Sequence, residues 1–145
     1  MAAKRTARAV WQGNLAQGSG RLNVDSGATP ELPVTWASRI ERADGRTSPE
    51  ELLAAAHASC FSMALSNILS GGGHVPERLE VTATCTLDKR DEGFRVTTME
   101  IEVRARVPGI DAAAFEEATR KAREGCPISN AIRNNVEIIA RGMLE

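Results

Sequence analysis

Three cysteines, Cys60, Cys85 and Cys126, are the residues of this chain whose side chains carry reactive chemistry. As thiolates they are nucleophiles, redox centres or metal ligands, and as thiols they are small apolar core residues. Their settings differ. Cys60 sits in HASCFSMALS, among small residues that leave room for another group at its sulfur. By position it reads equally as a core thiol and as a nucleophile. Cys126 lies between Gly125 and Pro127, where one helix is expected to end and another to begin, and N–H groups at a helix start favour a thiolate. A small residue is also a common structural need at such a corner, so this reading stays open. Cys85 shares the apolar face of an expected strand with Ala83 and Leu87 and reads as core. His57 and Cys60, at i and i+3 of one helix, permit a metal shared with Cys126. However, no C-x-x-C pair or second nearby histidine completes a tetrahedral set. No metal or other cofactor is expected, and His57 reads as a packed group or as a base to Cys60.

A nucleophilic Cys60 must be a thiolate near neutral pH, with a pKa well below the roughly 8.5 of a free thiol. Burial acts in the opposite direction, so a cation is required, and arginine suits because it stays charged when partly desolvated. Arg39, Arg42 and Arg46 lie just upstream. Arg39 is expected inside a strand, WASRIE, whose alternation turns it inward, whereas Arg42 and Arg46 flank the ADG turn. A desolvated arginine needs a carboxylate. Glu51 is assigned to the N3 position of a capping box with Ser48, which leaves Glu50 as the clamp. Ten residues separate Glu50 from Cys60, about 15 Å along a continuous helix and off one face. A site using both needs either a broken helix or a second chain, and a two-fold dimer is the simplest source of that chain.

The elements that must position these residues follow from hydrophobic period. Residues 4–12, 20–25 and 34–42 alternate and are separated by GNLAQGSG and SGATPELP, as expected of strands or hairpins. SPEELLAAAHASCFSMALSNILSGGG is a helix, capped by Ser48, with Pro49 at its first position and Gly71 to Gly73 as its stop. It is apolar on most of its circumference and is expected to be the buried spine. Strands follow at Leu79–Asp88 and Phe94–Val107, joined by KRDEG, with a bulge near Thr97 and Thr98 where the alternation changes phase. Asp111–Glu124 is a helix, Pro127 opens a shorter one, and Val136–Ala140 is the last strand. The fold class is α+β.

With 145 residues, one domain spanning 1–145 is expected. Lys and Arg total 18 against 19 Asp and Glu, a net charge of -1 with no basic block, which argues against a nucleic-acid partner. The oily stretch is interrupted by His57, Ser59, Ser62, Ser66 and Asn67 and no signal-like segment opens the chain, so no membrane partner is expected and the location is read as cytoplasmic.

The run SPEELLAAAHASCFSMALS, then VPGID and GCPISNAI, resembles the osmotically induced protein C and organic hydroperoxide resistance family, in particular its osmotically induced branch. The resemblance covers nearly the whole chain. It implies antiparallel sheets around a long buried central helix in an intertwined homodimer, and a cysteine-based peroxidase acting in stress defence. It implies Cys60 as the peroxidatic cysteine, Cys126 as the resolving one, and Arg39 with Glu50 as the thiolate-stabilising pair. In the hydroperoxide resistance branch the arginine comes from an earlier loop, which would point to Arg21. The implied partners are an organic hydroperoxide and a dithiol reductant carrying a dihydrolipoyl group. Phe61, Met63 and Leu65 would either line an alkyl pocket or belong to the core. A redox sensor and a non-catalytic ligand-binding protein are the alternatives on the same scaffold.

Overall fold

Glycine-rich turns divide the N-terminal alternating segments into three short strands in the computed structural model, which describes residues 1–145. These are β1 (Ala7–Gln12), β2 (Ser19–Val24) and β3 (Leu32–Val34), an antiparallel sheet in the order β1-β2-β3. The strand expected over 34–42 ends at Val34. Trp36–Ile40 is instead a short helix, α1, so Arg39 is helical and not part of a strand. The cause is local: Thr35 and Ser38 form a reciprocal capping box, and the Ser38 hydroxyl also donates to the Thr47 carbonyl at 2.9 Å. Period alone suggests a strand here, whereas a serine at N3 fills the place more often taken by Glu or Gln and starts a helix.

Helix α2 (Pro49–Gly71) starts as its sequence dictates. The Ser48 hydroxyl accepts from the Glu51 N–H at 3.1 Å. The Glu51 carboxylate, assigned to the other half of that box, instead accepts from the Thr47 hydroxyl at 3.0 Å. The chain resolves into two compact units, Met1–Leu52 and Leu53–Glu145, and the division falls after the first turn of α2.

In the second unit, β4 (Arg78–Arg90) and β5 (Gly93–Arg106) make a long antiparallel hairpin. Gly93 takes φ of +117° at its turn, a conformation that suits glycine. Thr86 faces Thr98 but Leu87 faces Val96, so Thr97 is the extra residue of a bulge, where the phase change in the sequence placed it. Helices α3 (Ala112–Gly125) and α4 (Pro127–Ile132) lead to β6 (Glu137–Leu144), which pairs with β5 in parallel and completes the order β4-β5-β6. This sheet is therefore mixed and not wholly antiparallel, and α3 and α4 make up the crossover that the parallel pairing of β5 with β6 requires.

The core of this unit is built from periodic faces. Met99, Ile101, Val103 and Ala105 of the central strand β5 are buried, while Glu100, Glu102, Arg104 and Arg106 between them are exposed. Phe115, Ala118, Thr119 and Ala122 form the inner stripe of α3. That helix lies so close to β6 that a Cβ on Gly142 would stand 2.6 Å from the Phe115 ring. Beyond its first turn, where Glu50 is buried, α2 buries only every fourth residue: His57, Phe61, Leu65 and Leu69. The last three join the same apolar cluster as β5 and α3. Within one chain α2 is thus a half-buried helix, not an enclosed spine, and Ala55, Ala56, Ser59, Met63 and Asn67 face outward. By length and composition alone it is also long and apolar enough to cross a membrane, its interrupting polar residues notwithstanding.

Candidate active site

Cys60 stands at the middle of α2, one position before buried Phe61, so its sulfur lies at the edge of the inner stripe and is only partly exposed. Cys126 joins α3 to α4 and is fully buried. Its N–H donates to the Ala122 carbonyl and its own carbonyl accepts from Asn130, both at 2.9 Å, so its backbone is committed to the two helices it links. Arg133 reinforces this corner by donating to the Glu124 carbonyl at the end of α3.

The fold brings the two sulfurs together: the Cys60 thiol is hydrogen-bonded with the Cys126 side chain and receives the backbone N–H of Ile128. This second contact was not legible in the sequence as an interaction of Cys60. The N–H groups that open α4 were expected to serve Cys126. Pro127 at the first helical position has no N–H, so the first donor without an intrahelical acceptor is that of Ile128, and it is spent on Cys60. Burial pushes the Cys60 thiol pKa up, the Ile128 N–H pulls it down, and the neighbouring Cys126 pushes it up again. The net direction is upward, so these neighbours by themselves leave Cys60 a thiol.

His57, one turn before Cys60 in α2, is fully buried. Its Nε2 lies 2.7 Å from the hydroxyl of Ser129, itself fully buried in α4. Burial lowers the His57 pKa, so the ring is neutral at neutral pH. Ser129 was missed in the sequence, where nothing marks a serine three residues past Cys126 as the partner of a histidine 72 positions away. Cys85 packs against the core cluster, as its strand position implied. Phe61 and Leu65 are core and unavailable to a ligand, whereas Met63 is 66% exposed.

The other predicted pair lies in the first unit. The Arg39 guanidinium grips the Glu50 carboxylate with three bonds, Nε to both oxygens at 3.0 and 3.1 Å and Nη2 to Oε1 at 2.8 Å. The Glu50 side chain is 9% exposed, and the Arg39 guanidinium carbon lies 5.8 Å from the centroid of the Trp36 ring. Arg21, the other candidate, makes a loose pair with Glu31 at 3.5 Å in which both side chains are at least half exposed. Arg42 meets Asp44 at 3.4 Å in the same solvent-facing manner. α2 runs without a break from Glu50 to Cys60, so the ten residues between them amount to about 15 Å of rise. The four predicted residues therefore form two pairs, Cys60 with Cys126 and Arg39 with Glu50.

The family model described as OsmC-like protein matches residues 42–141, the stretch from the end of α1 through most of β6. The chain belongs to the OsmC-like protein family. Peroxiredoxin OsmC of Escherichia coli K12 is 38% identical to it over 138 residues, covering 95% of this chain and 96% of that one. The organic hydroperoxide resistance protein OhrA of Bacillus subtilis is 32% identical over 119 residues, covering 79% of this chain and 82% of OhrA. Among solved structures, the OhrB protein of Bacillus subtilis superposes on this OsmC-like chain with a TM-score of 0.76 at 25% identity, covering 95% and 98% of the two chains. The α+β architecture is that of the family.

Proposed function

We propose that this chain is a cysteine-based peroxidase that reduces organic hydroperoxides to alcohols in defence against oxidative and osmotic stress. The observation that carries the reading is the contact between the Cys60 and Cys126 thiols, drawn from α2 and from the α3–α4 junction into one buried corner. In the first step the Cys60 thiolate attacks the outer peroxide oxygen. The O–O bond breaks, the alkoxide leaves as alcohol after taking a proton, and Cys60 becomes a sulfenic acid. Cys126 then condenses with it to a disulfide and water. A dithiol, with a dihydrolipoyl group as the natural reductant, reopens the bond by exchange.

Support for the partner chain comes from α2. Its neighbours push the Cys60 pKa up, Glu50 with its arginine stands nearly three helical turns earlier in the helix, and its outward face carries Ala55, Ala56 and Met63. A homodimer in which Arg39 and Glu50 of one chain serve Cys60 of the other satisfies all three. The whole of 1–145 then works as one domain, in the cytoplasm, where thiols are kept reduced.

The test uses cumene hydroperoxide with a dithiol. Wild-type protein should turn over and Cys60→Ser should not, with a loss of at least about a thousandfold. Mixing Cys60→Ser with Glu50→Gln, each at about a tenth of wild-type activity or less alone, should recover about one quarter of wild-type activity after subunit exchange. Recovery of nothing, from chains shown to exchange, would mean that both pairs act within one chain. Oxidation without turnover under any dithiol would point to a sensor.

A further inference from the structure

His57 is out of place in its stripe. The positions that continue its stripe toward the C-terminus of α2, Phe61, Leu65 and Leu69, are apolar, and a leucine at 57 would pack there without a polar atom to satisfy. The histidine instead buries a ring whose Nδ1 has no hydrogen-bond partner, while its Nε2 is engaged by Ser129 at 2.7 Å. Leaving a polar atom unpaired in the interior is costly, so a residue retained at that cost points to a directional bond that packing cannot replace. Neither of the simpler roles fits. As a base to Cys60 it would have to address a sulfur that is already contacted by Cys126 and Ile128, and as a metal ligand it would need companions, whereas no group of three His, Cys, Asp or Glu side chains is gathered there.

We infer that the His57–Ser129 hydrogen bond is a clamp that fixes the first turn of α4 against α2 and so holds Cys126 in range of Cys60 for the resolving step. This rests on the peroxidase reading. His57 lies three residues before Cys60, and Ser129 three residues after Cys126 and next to Ile128. One bond therefore ties together the two segments that bear the sulfurs. In the resolving step the Cys126 sulfur attacks the sulfenyl sulfur of Cys60, the S–O bond breaks, and hydroxide leaves as water with the Cys126 proton. Cys126 is fully buried at a helix junction, and its approach is set by where α4 sits. His57 and Ser129 are thus positioning residues for the second step.

The experiment follows the two steps separately in the full-length protein, mixed rapidly with one equivalent of cumene hydroperoxide and no dithiol. Dimedone trapping reads the Cys60 sulfenic acid, and peptide mapping reads the Cys60–Cys126 disulfide. Ser129→Ala and His57→Leu should each slow disulfide formation by about tenfold, so that sulfenic acid accumulates, while the oxidation step changes by less than about threefold. His57→Gln, whose amide nitrogen can occupy the Nε2 position, should resolve like wild type, and the double variant should be no slower than either single one. Resolution at the wild-type rate in Ser129→Ala, equal slowing of both steps, or a glutamine variant as slow as the leucine one would overturn the clamp. Should His57→Leu fail to fold, Ser129→Ala and His57→Gln decide. Closure of the same disulfide by diamide, a thiol oxidant that needs no peroxide chemistry, separates the two readings. Slow closure in Ser129→Ala upholds the clamp even if wild-type protein forms no sulfenic acid, a result that would end the peroxidase reading.

Discussion

The Arg39–Glu50 pair and the Cys60–Cys126 pair are opposites in physical character. The first is an ion pair held by three hydrogen bonds, with its carboxylate largely buried. The second gathers two thiols and one backbone donor where burial opposes ionisation. Each has what the other needs. In the proposed homodimer the first pair would supply the positive charge that the thiols of the second lack. A thiol left as a thiol in the isolated chain is also protected from adventitious oxidation, since susceptibility follows thiolate character.

The sharpest way to break that comparison is to remove one side of it. Glu50→Gln or Arg39→Met should raise the pH midpoint for iodoacetamide alkylation of Cys60 by at least one pH unit, and peroxide reduction at pH 7 should fall by about tenfold or more. An unchanged midpoint would mean that Cys60 draws its thiolate from somewhere else. Cys126→Ser should keep a first turnover close to wild type, seen as one equivalent of alcohol per chain, but stall as sulfenic acid. Loss of that first turnover would show that Cys126 also takes part in oxidation. A stability contrast comes next. Phe61→Ala empties a fully buried position and should cost about 3–5 kcal/mol in denaturant melts, whereas outward-facing Met63→Ala should change the stability of a chain by within about 0.5 kcal/mol and, in the proposed homodimer, show its effect in dissociation.

The smallest effect concerns pH. His57 is buried with its pKa lowered, so the unfolded chain binds a proton near the ordinary value of 6.5 that the folded chain refuses. Stability should therefore decline as pH falls below about 6.5, and His57→Gln should flatten that part of the curve in urea titrations. A slope unaltered by the substitution would show that other groups dominate.

Local rules made the scaffold readable. The Ser48-Pro49 start of α2, the alternation of β4 and β5 and the displaced threonine of the bulge are signals within a few residues of one another, and the structure follows them. What escaped were features that depend on what lies opposite. α1 hid because five residues carry no period, and its Thr35–Ser38 box is anchored to Thr47 further along the chain. The parallel pairing of β6 depends on where α3 and α4 deliver the chain, which no alternation encodes. At the site, the cysteines and the arginine clamp were visible as residue types. The Ile128 N–H was not, because a backbone donor has no letter in a sequence. The apolar circumference of α2 suggested complete enclosure, yet a single chain encloses only one stripe in four.

The run Cys126-Pro127-Ile128-Ser129 holds four consecutive residues with four separate tasks: a thiol, a helix start without an N–H, a donor to Cys60 and a bond to His57. Such a run has no slack in its spacing. Adding or deleting one residue there rotates every later member by about 100° around α4 and removes all the contacts at once, which no point substitution does. The Asp91–Glu92 turn of the β4–β5 hairpin, exposed and far from this register, can absorb a change of length. Natural variation in length should therefore collect at the hairpin, while the four-residue run keeps its spacing even where its letters change.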